Sequence, residues 1–194
     1  MNSLVSRNWY YFLIGAIVST SIVCGGIAIR CNPTSSEKVL FYVSALNVDT
    51  SKLVNESQSV TSEDIRQIRI NHENVIASEN SRMFGLVYDS TDIYIYPESQ
   101  LERTMPLSVK LSKDNVDVLL PNAIDKEIKN ECAIKIYDAN SEQGCLKGII
   151  DYHISEARKE NYYLSFYKSS LHIGKLNNCV SNNALSIANH LLKL

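Results

Sequence analysis

The sequence has few of the motifs that mark a catalytic or cofactor-binding protein. Its 194 residues contain no P-loop, no dinucleotide-binding fingerprint, no GxSxG elbow and no HExxH pair. The five cysteines include no CxxC pair, and the four histidines lack the spacing of metal ligands in a helix or hairpin. We therefore predict that the protein is not an enzyme, binds no cofactor and has no metal site.

Concentrated positive charge is also missing. The formal net charge is −2, the isoelectric point is near 6.1, and the 19 lysine and arginine residues are dispersed along the chain. A protein that binds nucleic acid needs a basic surface to neutralise the phosphates. We therefore expect no nucleic-acid partner.

The sequence does contain one long hydrophobic run, Trp9–Ile29, in which 21 consecutive residues carry no charge. About 20 apolar residues in a helix span a bilayer core of about 30 Å. We predict that residues 9–29 form a transmembrane signal-anchor helix in contact with lipid, and that residues 1–8 form a short cytoplasmic head. Two alternatives stay open, namely signal cleavage at Gly26-Ile27-Ala28 and lipidation of Cys24.

Charge decides little about the orientation of this helix. Arg7 and the amino terminus lie before the apolar run, and Arg30 and Lys38 lie after it. Positive charge is therefore almost evenly divided between the two flanks of the helix. A short head, one apolar run and then all the folded mass are typical of signal anchors that export the following domain. We predict a single-pass protein of the cell membrane with its C-terminal domain outside the cytoplasm.

The rest of the chain is predicted to form a linker, residues 30–38, and one extracytoplasmic domain, residues 39–194. Apolar residues at helical spacing predict an amphipathic helix over Asn182–Leu194. Short apolar or alternating runs predict strands. The fold class is therefore α/β (or α+β), with a mixed sheet and a C-terminal helix. The predicted strands are Val39–Leu46, Ile65–Ile70, Asp92–Tyr96, Ala133–Tyr137, Cys145–Ile150 and Asn161–Tyr167.

Three cysteines, Cys132, Cys145 and Cys179, fall in the predicted domain. An outer location permits disulfides, but three cysteines cannot all pair with one another. Free thiols and a single bridge within the domain both stay open. A Cys132–Cys145 bridge is not proposed, because the two residues are out of register across the predicted hairpin.

Candidate ligand-binding residues come from two strands and the segment that follows one of them. Glu98 and Ser99 come directly after a buried strand that Pro97 ends, and the carboxyl end of a strand is a common place for a site in an open α/β sheet. Tyrosine suits binding surfaces because it combines a large apolar area with a polar tip. The candidate tyrosines are Tyr94, Tyr96, Tyr163 and Tyr167.

Several segments resemble the solute-binding proteins of ABC importers. They are DIYIYPESQL, the strand CAIKIYD, the stretch YYLSFYKSSLHIGKL and the closing helix ALSIANHLL, in that order. The resemblance covers about Lys38 to Leu194 and implies an anchored extracellular protein of a kind common on Gram-positive bacteria. Complete members of that family have two α/β lobes in chains about twice as long, so this chain has room for one lobe.

These observations lead to two hypotheses of different classes. The first is a membrane-anchored binding or accessory module that captures a small solute or contacts a transporter subunit. The alternative is a non-catalytic structural or interaction component of a membrane protein complex. A pocket between Glu98–Ser99 and the turn Lys168–Ser170 would favour the first, and a flat domain with an exposed apolar or tyrosine patch would favour the second. A surface hydrolase is a weaker third possibility.

Overall fold

The computed structural model describes residues 2–74, 91–123, 126–155 and 158–194. The chain divides into two compact units, with the boundary between Thr34 and Ser35. Each unit is described by itself below.

The first unit contains a single long helix, α1 (Asn2–Cys31). Its segment Trp9–Ile27 is 19 residues long and apolar enough to cross a membrane, and none of it is buried. The hydroxyl groups of Ser19 and Thr20 donate to the carbonyl oxygens of Gly15 and Ala16, at 2.7 and 2.8 Å. These bonds satisfy the polar side chains within the helix. The predicted apolar N-terminal helix is thus confirmed.

The second unit, Ser35–Leu194, combines short helices with many short strands. Its described helices are α2 (Thr50–Gln58), α3 (Leu101–Thr104), α4 (Lys113–Leu119) and α5 (Asn183–Leu191). Its described strands are β1 (Lys38–Ser44), β2 (Asn47–Val48), β3 (Gln67–Glu73), β4 (Ile93–Pro97), β5 (Ile128–Lys129), β6 (Ala133–Asp138), β7 (Gln143–Gly144), β8 (Ile150–Asp151), β9 (His153–Ser155), β10 (Arg158–Lys159) and β11 (Tyr162–Phe166).

Seven of the described strands form one mixed sheet in the order β3-β1-β4-β11-β6-β5, with β7 also paired to β6. Strand β1 is parallel to both β3 and β4, whereas β11 is antiparallel to both β4 and β6. The predicted fold class, a mixed α/β sheet with an N-terminal apolar helix and a C-terminal helix, is confirmed.

The central strand β4 is buried on both faces. Side chains alternate along a strand, so Ile93 and Ile95 enter the main core while Tyr94 and Tyr96 enter a second cluster on the other face. The neighbouring β1 follows the same rule, with Phe41 in the main core and Tyr42 in the second cluster. Continuous apolar runs in the sequence are therefore the expected signature of these strands.

Two helices help to cover the main core. Helix α2 begins after Asp49, whose carboxylate accepts a hydrogen bond from the backbone N–H of Lys52 at 2.9 Å, as an N-cap. Helix α5 ends at Leu191, slightly short of the predicted end at Leu194, and it buries Ala184, Leu185, Ile187, Ala188 and Leu191. The predicted amphipathic pattern of the C-terminal helix is thus confirmed.

The predicted strand Cys145–Ile150 is wrong except at its end. After β7 the chain bends, and Leu146 and Gly148 have φ angles of 60° and 76°, which break an extended conformation. Only Ile150 begins a strand, β8, which pairs with β2 and not with β6.

The four described cysteine side chains are free thiols: Cys24, Cys132, Cys145 and Cys179. Cys145 is buried, and its Sγ lies 3.1 Å from the carbonyl oxygen of Leu192. Within the described residues, the first of the two cysteine alternatives therefore holds. The side chain of Cys31 lies outside them.

The hairpin of β6 and β7 depends on glycine at position 144. A Cβ atom there would lie 2.6 Å from the carbonyl oxygen of Ile136 and 2.8 Å from the Cα of Tyr137, both of which are backbone atoms. We expect Gly144→Ala to lower the free energy of unfolding by about 1–3 kcal/mol, measured by urea denaturation. Ser141→Ala, in the same turn, is the matched control and should change it little. An unchanged Gly144→Ala protein would contradict this packing.

Candidate functional site

Three of the four candidate tyrosines lie inside the domain. Tyr94, Tyr96 and Tyr163 are fully buried in the second cluster, and only Tyr167 is half-buried. The rings of Tyr94 and Tyr167 meet edge to face, with centroids 6.4 Å apart. Burial raises the pKa of Tyr96 to about 12 and that of Tyr163 to about 12, so both stay neutral near pH 7. These tyrosines form a packed layer, and their predicted contact with a ligand stays a prediction.

The segment after β4 covers this tyrosine layer. Leu101 of α3 packs against the cluster. The Gln100 side chain donates a hydrogen bond to the Ser44 hydroxyl at 2.8 Å, which joins the carboxyl ends of β4 and β1. The Ser108 hydroxyl bonds to that of Ser165 at 3.1 Å. These two bonds each pair buried polar side chains on this face of the sheet, whereas the buried hydroxyl groups of Tyr96 and Tyr163 have no hydrogen-bond partner among the described residues.

Glu98 and Ser99 lie where the sequence placed them, at the carboxyl end of β4. This end is a switch point, because β3 and β4 flank β1 on opposite sides, and ligands of open α/β sheets bind at such points. Both residues are held by neighbours, however. Glu98 forms an ion pair with Lys129 at 3.3 Å and accepts a hydrogen bond from Asn161 at 2.8 Å, while the Ser99 N–H donates to Glu160 at 2.9 Å.

The turn Lys168–Ser170 does not join Glu98 and Ser99 in one pocket. Strands β4 and β11 are antiparallel, with Pro97 opposite Tyr162 and Ile93 opposite Phe166. The turn after β11 therefore lies at the amino end of β4, whereas Glu98 lies at its carboxyl end. The two predicted walls of the pocket are at opposite edges of the sheet.

A cavity of about 350 Å³ does exist beside that turn. We call it the Asp92 cavity, and the residues that matter in its lining are Lys38, Leu40, Asp92, Tyr167, Ser170 and Leu171. Three segments position its polar groups: the amino ends of the parallel strands β1 and β4, and the turn after β11. Asp92 was not among the site residues predicted from the sequence. Its one signal was an acidic residue at the start of an otherwise apolar strand.

Asp92 connects three segments that are distant in sequence. Its Oδ2 accepts a hydrogen bond from the backbone N–H of Leu40 at 2.8 Å, and its Oδ1 accepts one from the Ser170 hydroxyl at 2.5 Å. The Ser170 hydroxyl in turn accepts from the N–H of His172 at 3.1 Å. Because only 7% of Asp92 is exposed, the carboxyl group is buried against the cavity wall.

Burial dominates the electrostatics of this carboxyl group. Desolvation raises the pKa of Asp92 above its usual value, because it penalises the charged form. The hydrogen bonds from Ser170 and Leu40 lower the pKa, as do the nearby side chains of His172 and Lys38, but these effects are smaller. The group is thus less well stabilised as a carboxylate than it would be in water.

His172, behind the cavity, is occupied by structural bonds. Its Nε2 lies 3.1 Å from the carbonyl oxygen of Ser35, which can only accept, so Nε2 carries the proton. Its Nδ1 lies 2.9 Å from the Ser181 hydroxyl. Cys179, the one cysteine near this histidine in sequence, directs its Sγ to the carbonyl oxygen of Ser170 at 3.5 Å. The histidine and the cysteine therefore have separate partners.

A larger cavity of about 1170 Å³ lies between α4 and β5. Polar lining residues such as Lys110, Lys113 and Glu131 are exposed, and its buried lining residues, such as Leu111 and Val116, are apolar. No buried ionisable side chain lines it among the described residues. Within those residues, too, no three His, Cys, Asp or Glu side chains are grouped so that they could hold a metal ion. The Asp92 cavity is therefore the more informative candidate.

The raised pKa of Asp92 predicts the sign of one pH effect. Above about pH 3.9, the usual value for Asp, the folded state keeps a proton that the unfolded state loses, so stability falls as the pH rises through the folded pKa. We expect Asp92→Asn to remove this loss. The Asn side chain can still accept from Leu40 and donate to Ser170.

The measurement is the free energy of unfolding of both proteins by urea, from about pH 4 to about pH 8. Hydrogen bonds from the N–H groups of Asn140 and Ser141 lower the pKa of Asp138, which gives the opposite pH trend in both proteins. The difference between the two curves of unfolding free energy against pH therefore reports the titration of Asp92 alone. Parallel curves would contradict a raised pKa.

Comparisons with known proteins add little to this site. No protein-family model matches the sequence, and no curated protein matches it. Among solved structures, the chain is similar to iron-bound HitA from Pseudomonas aeruginosa, at 17% sequence identity and a TM-score of 0.36. The match covers 52% of this chain and 32% of the HitA chain. It is consistent with a weak resemblance, but a likeness this partial leaves family, ligand and function as proposals.

Proposed function

We propose that the protein is a non-catalytic binding module, tethered to the cell membrane by α1, whose folded domain lies outside the cytoplasm and captures a small solute in the Asp92 cavity. One observation carries the proposal. A fully exposed apolar helix is joined to a domain that has its own core and a cavity with a buried ionisable group.

The exposed helix supports the membrane tether. Nineteen residues at about 1.5 Å each span about 28 Å, close to the thickness of a bilayer core. Large apolar side chains such as Phe12 and Ile22 are 67% and 70% exposed. Such a surface is unfavourable in water and favourable in lipid. The aromatic residues Trp9, Tyr10 and Tyr11 fit the interfacial region at one end of the span.

The Asp92 cavity supports solute binding over direct docking on a transporter. Its volume of about 350 Å³ is at the lower end of the range for small-molecule sites, about 300–1000 Å³. It has an apolar side formed by Leu40, Tyr167 and Leu171, and its other lining residues are polar and could orient a solute: Ser35, Lys38, Thr91, Asp92, Ser169 and Ser170. The Ser170 hydroxyl bonds to the Asp92 carboxyl in this lining, but the described lining includes no histidine and no cysteine, and the nearby His172 is bonded to Ser35 and Ser181. This chemistry favours binding without catalysis.

The second candidate function is a structural or interaction component of a membrane complex. Two observations favour this second function. Tyr94, Tyr96 and Tyr163 are buried, and Glu98 and Ser99 bond to neighbouring residues of the domain. Residues that were predicted to bind a ligand therefore stabilise the fold instead. In this case the cavity would have no solute of its own.

The tether makes a direct prediction. Replacing Ile14 and Val18 together by Arg should prevent stable insertion, because each Arg near the centre of the span costs about 2.5–3.5 kcal/mol. After expression in a bacterial host, the unaltered chain should stay with the membranes on alkaline carbonate extraction, and the Arg variant should not. Ile14→Leu with Val18→Leu is the control. Extraction of the unaltered chain would contradict the tether, and resistance of the domain to protease added outside the cells would contradict its location.

Solute binding is tested by thermal unfolding of the full chain in detergent against sugars, amino acids, short peptides, amines and metal ions. A ligand of the folded state at 100 times its Kd adds about 2.7 kcal/mol and raises the midpoint. We expect one chemical class to do so. The Asp64→Asn protein, altered at an exposed residue outside the cavity lining, should respond equally. If no class shifts the midpoint, the proposal fails, and the interaction component becomes the better description.

A further inference from the structure

The Asp92 cavity brings one acidic and one basic side chain to the same small space, and we propose that its ligand is a small zwitterion, such as a free amino acid. The ammonium group of the ligand would contact Asp92, and its carboxylate would contact Lys38. This inference rests on the proposed solute binding and adds the chemical class of the solute.

Asp92 supplies the acceptor for an ammonium group. An ionised carboxylate has about four acceptor positions. Two are filled, by the N–H of Leu40 and the hydroxyl of Ser170. Within the described residues, no basic side chain lies within ion-pair distance of this carboxylate, although 93% of the residue is buried. A buried charge normally has a charged partner, and a bound ammonium group would provide one.

Lys38 supplies the opposite charge. It is the first residue of β1, is half-buried, and lines the cavity. Lys38 and Leu40 are two residues apart in the strand, so their side chains point to the same face, about 6.6 Å apart along the chain. The backbone N–H of Leu40 holds Asp92. Lys38 forms no ion pair among the described residues. A ligand with both charges would therefore neutralise both side chains at once.

The size and walls of the cavity restrict the rest of the ligand. About 350 Å³ leaves room for a small molecule but not for an oligosaccharide or a folded peptide. Leu40, Tyr167 and Leu171 give the cavity an apolar side, which suits an aliphatic side chain on the zwitterion. A bare metal ion is a poorer fit, because Asp92 is the one carboxylate in this lining.

The test is isothermal titration of the full chain in detergent with alanine and leucine as probes. Ethylamine and propionate each carry one of the two charges and serve as matched probes. We expect each single-charge probe to bind at least about tenfold more weakly than the amino acids, since one charged hydrogen bond is lost. Tight binding of either single-charge probe would overturn the assignment of two charged contacts.

Variants locate the contacts. Asp92→Asn and Lys38→Gln should each weaken amino-acid binding at least about tenfold. Their controls are Asp64→Asn and Lys113→Gln, which make the same chemical changes at exposed residues away from the cavity and should bind as the unaltered chain does. Lys38→Gln is the decisive variant, because the Lys38 side chain forms no hydrogen bond or ion pair among the described residues, and its backbone pairing with β3 is kept. Circular dichroism of each variant verifies that it is folded.

The outcomes separate this inference from the proposed function. If sugars or metal ions shift the thermal midpoint and amino acids do not, solute binding stands and the zwitterion is wrong. The zwitterion is also wrong, and solute binding still stands, if the folded Lys38→Gln protein binds amino acids as tightly as the unaltered chain does. If no solute of any class binds, both proposals are wrong.

Discussion

The rest of the domain depends on the burial of β4 on both faces. This strand pairs in parallel with β1 on one side and in antiparallel with β11 on the other, so it joins the two halves of the sheet. Its alternating sequence sends Ile93 and Ile95 to one core and Tyr94 and Tyr96 to another. Removing any of these side chains from its layer would leave a void that neighbours fill only in part. The strand therefore holds both layers in register.

The antiparallel pairing of β4 with β11 decides which polar groups meet at each edge of the sheet. At the carboxyl end of β4, Glu98 meets Lys129 and Asn161, so the charge is neutralised by groups that are partly exposed to water. At the amino end, Asp92 accepts hydrogen bonds from Ser170 and a backbone N–H, and Lys38 lies nearby without forming an ion pair with it. The two edges thus differ physically. One is a closed network, and the other keeps a buried acidic group beside a cavity.

The sequence was sufficient for the elements whose composition is distinctive. Continuous apolar runs predicted β1 and β4, and helical spacing predicted α5, because burial on two faces or on one stripe directly constrains residue type. Cys145–Ile150 looked equally apolar but bends at Leu146 and Gly148, where positive φ values depend on packing that composition does not record. The contact of Asp92 with Ser170 could not be predicted from the sequence either. It joins residues 78 positions apart, and it depends on the register between two strands.

The candidate tyrosines show how the same composition fits two different roles. Tyrosine is favoured in strands for its shape and at binding surfaces for its polar tip, and only burial distinguishes the two cases. Here Tyr94, Tyr96 and Tyr163 pack beneath α3. A strand that is buried on both faces keeps only its ends for contact with other molecules. For β4 those ends are Asp92 and Glu98, and Asp92, which has no ion-pair partner among the described residues, has more to gain from a charged ligand than Glu98, which is paired with Lys129.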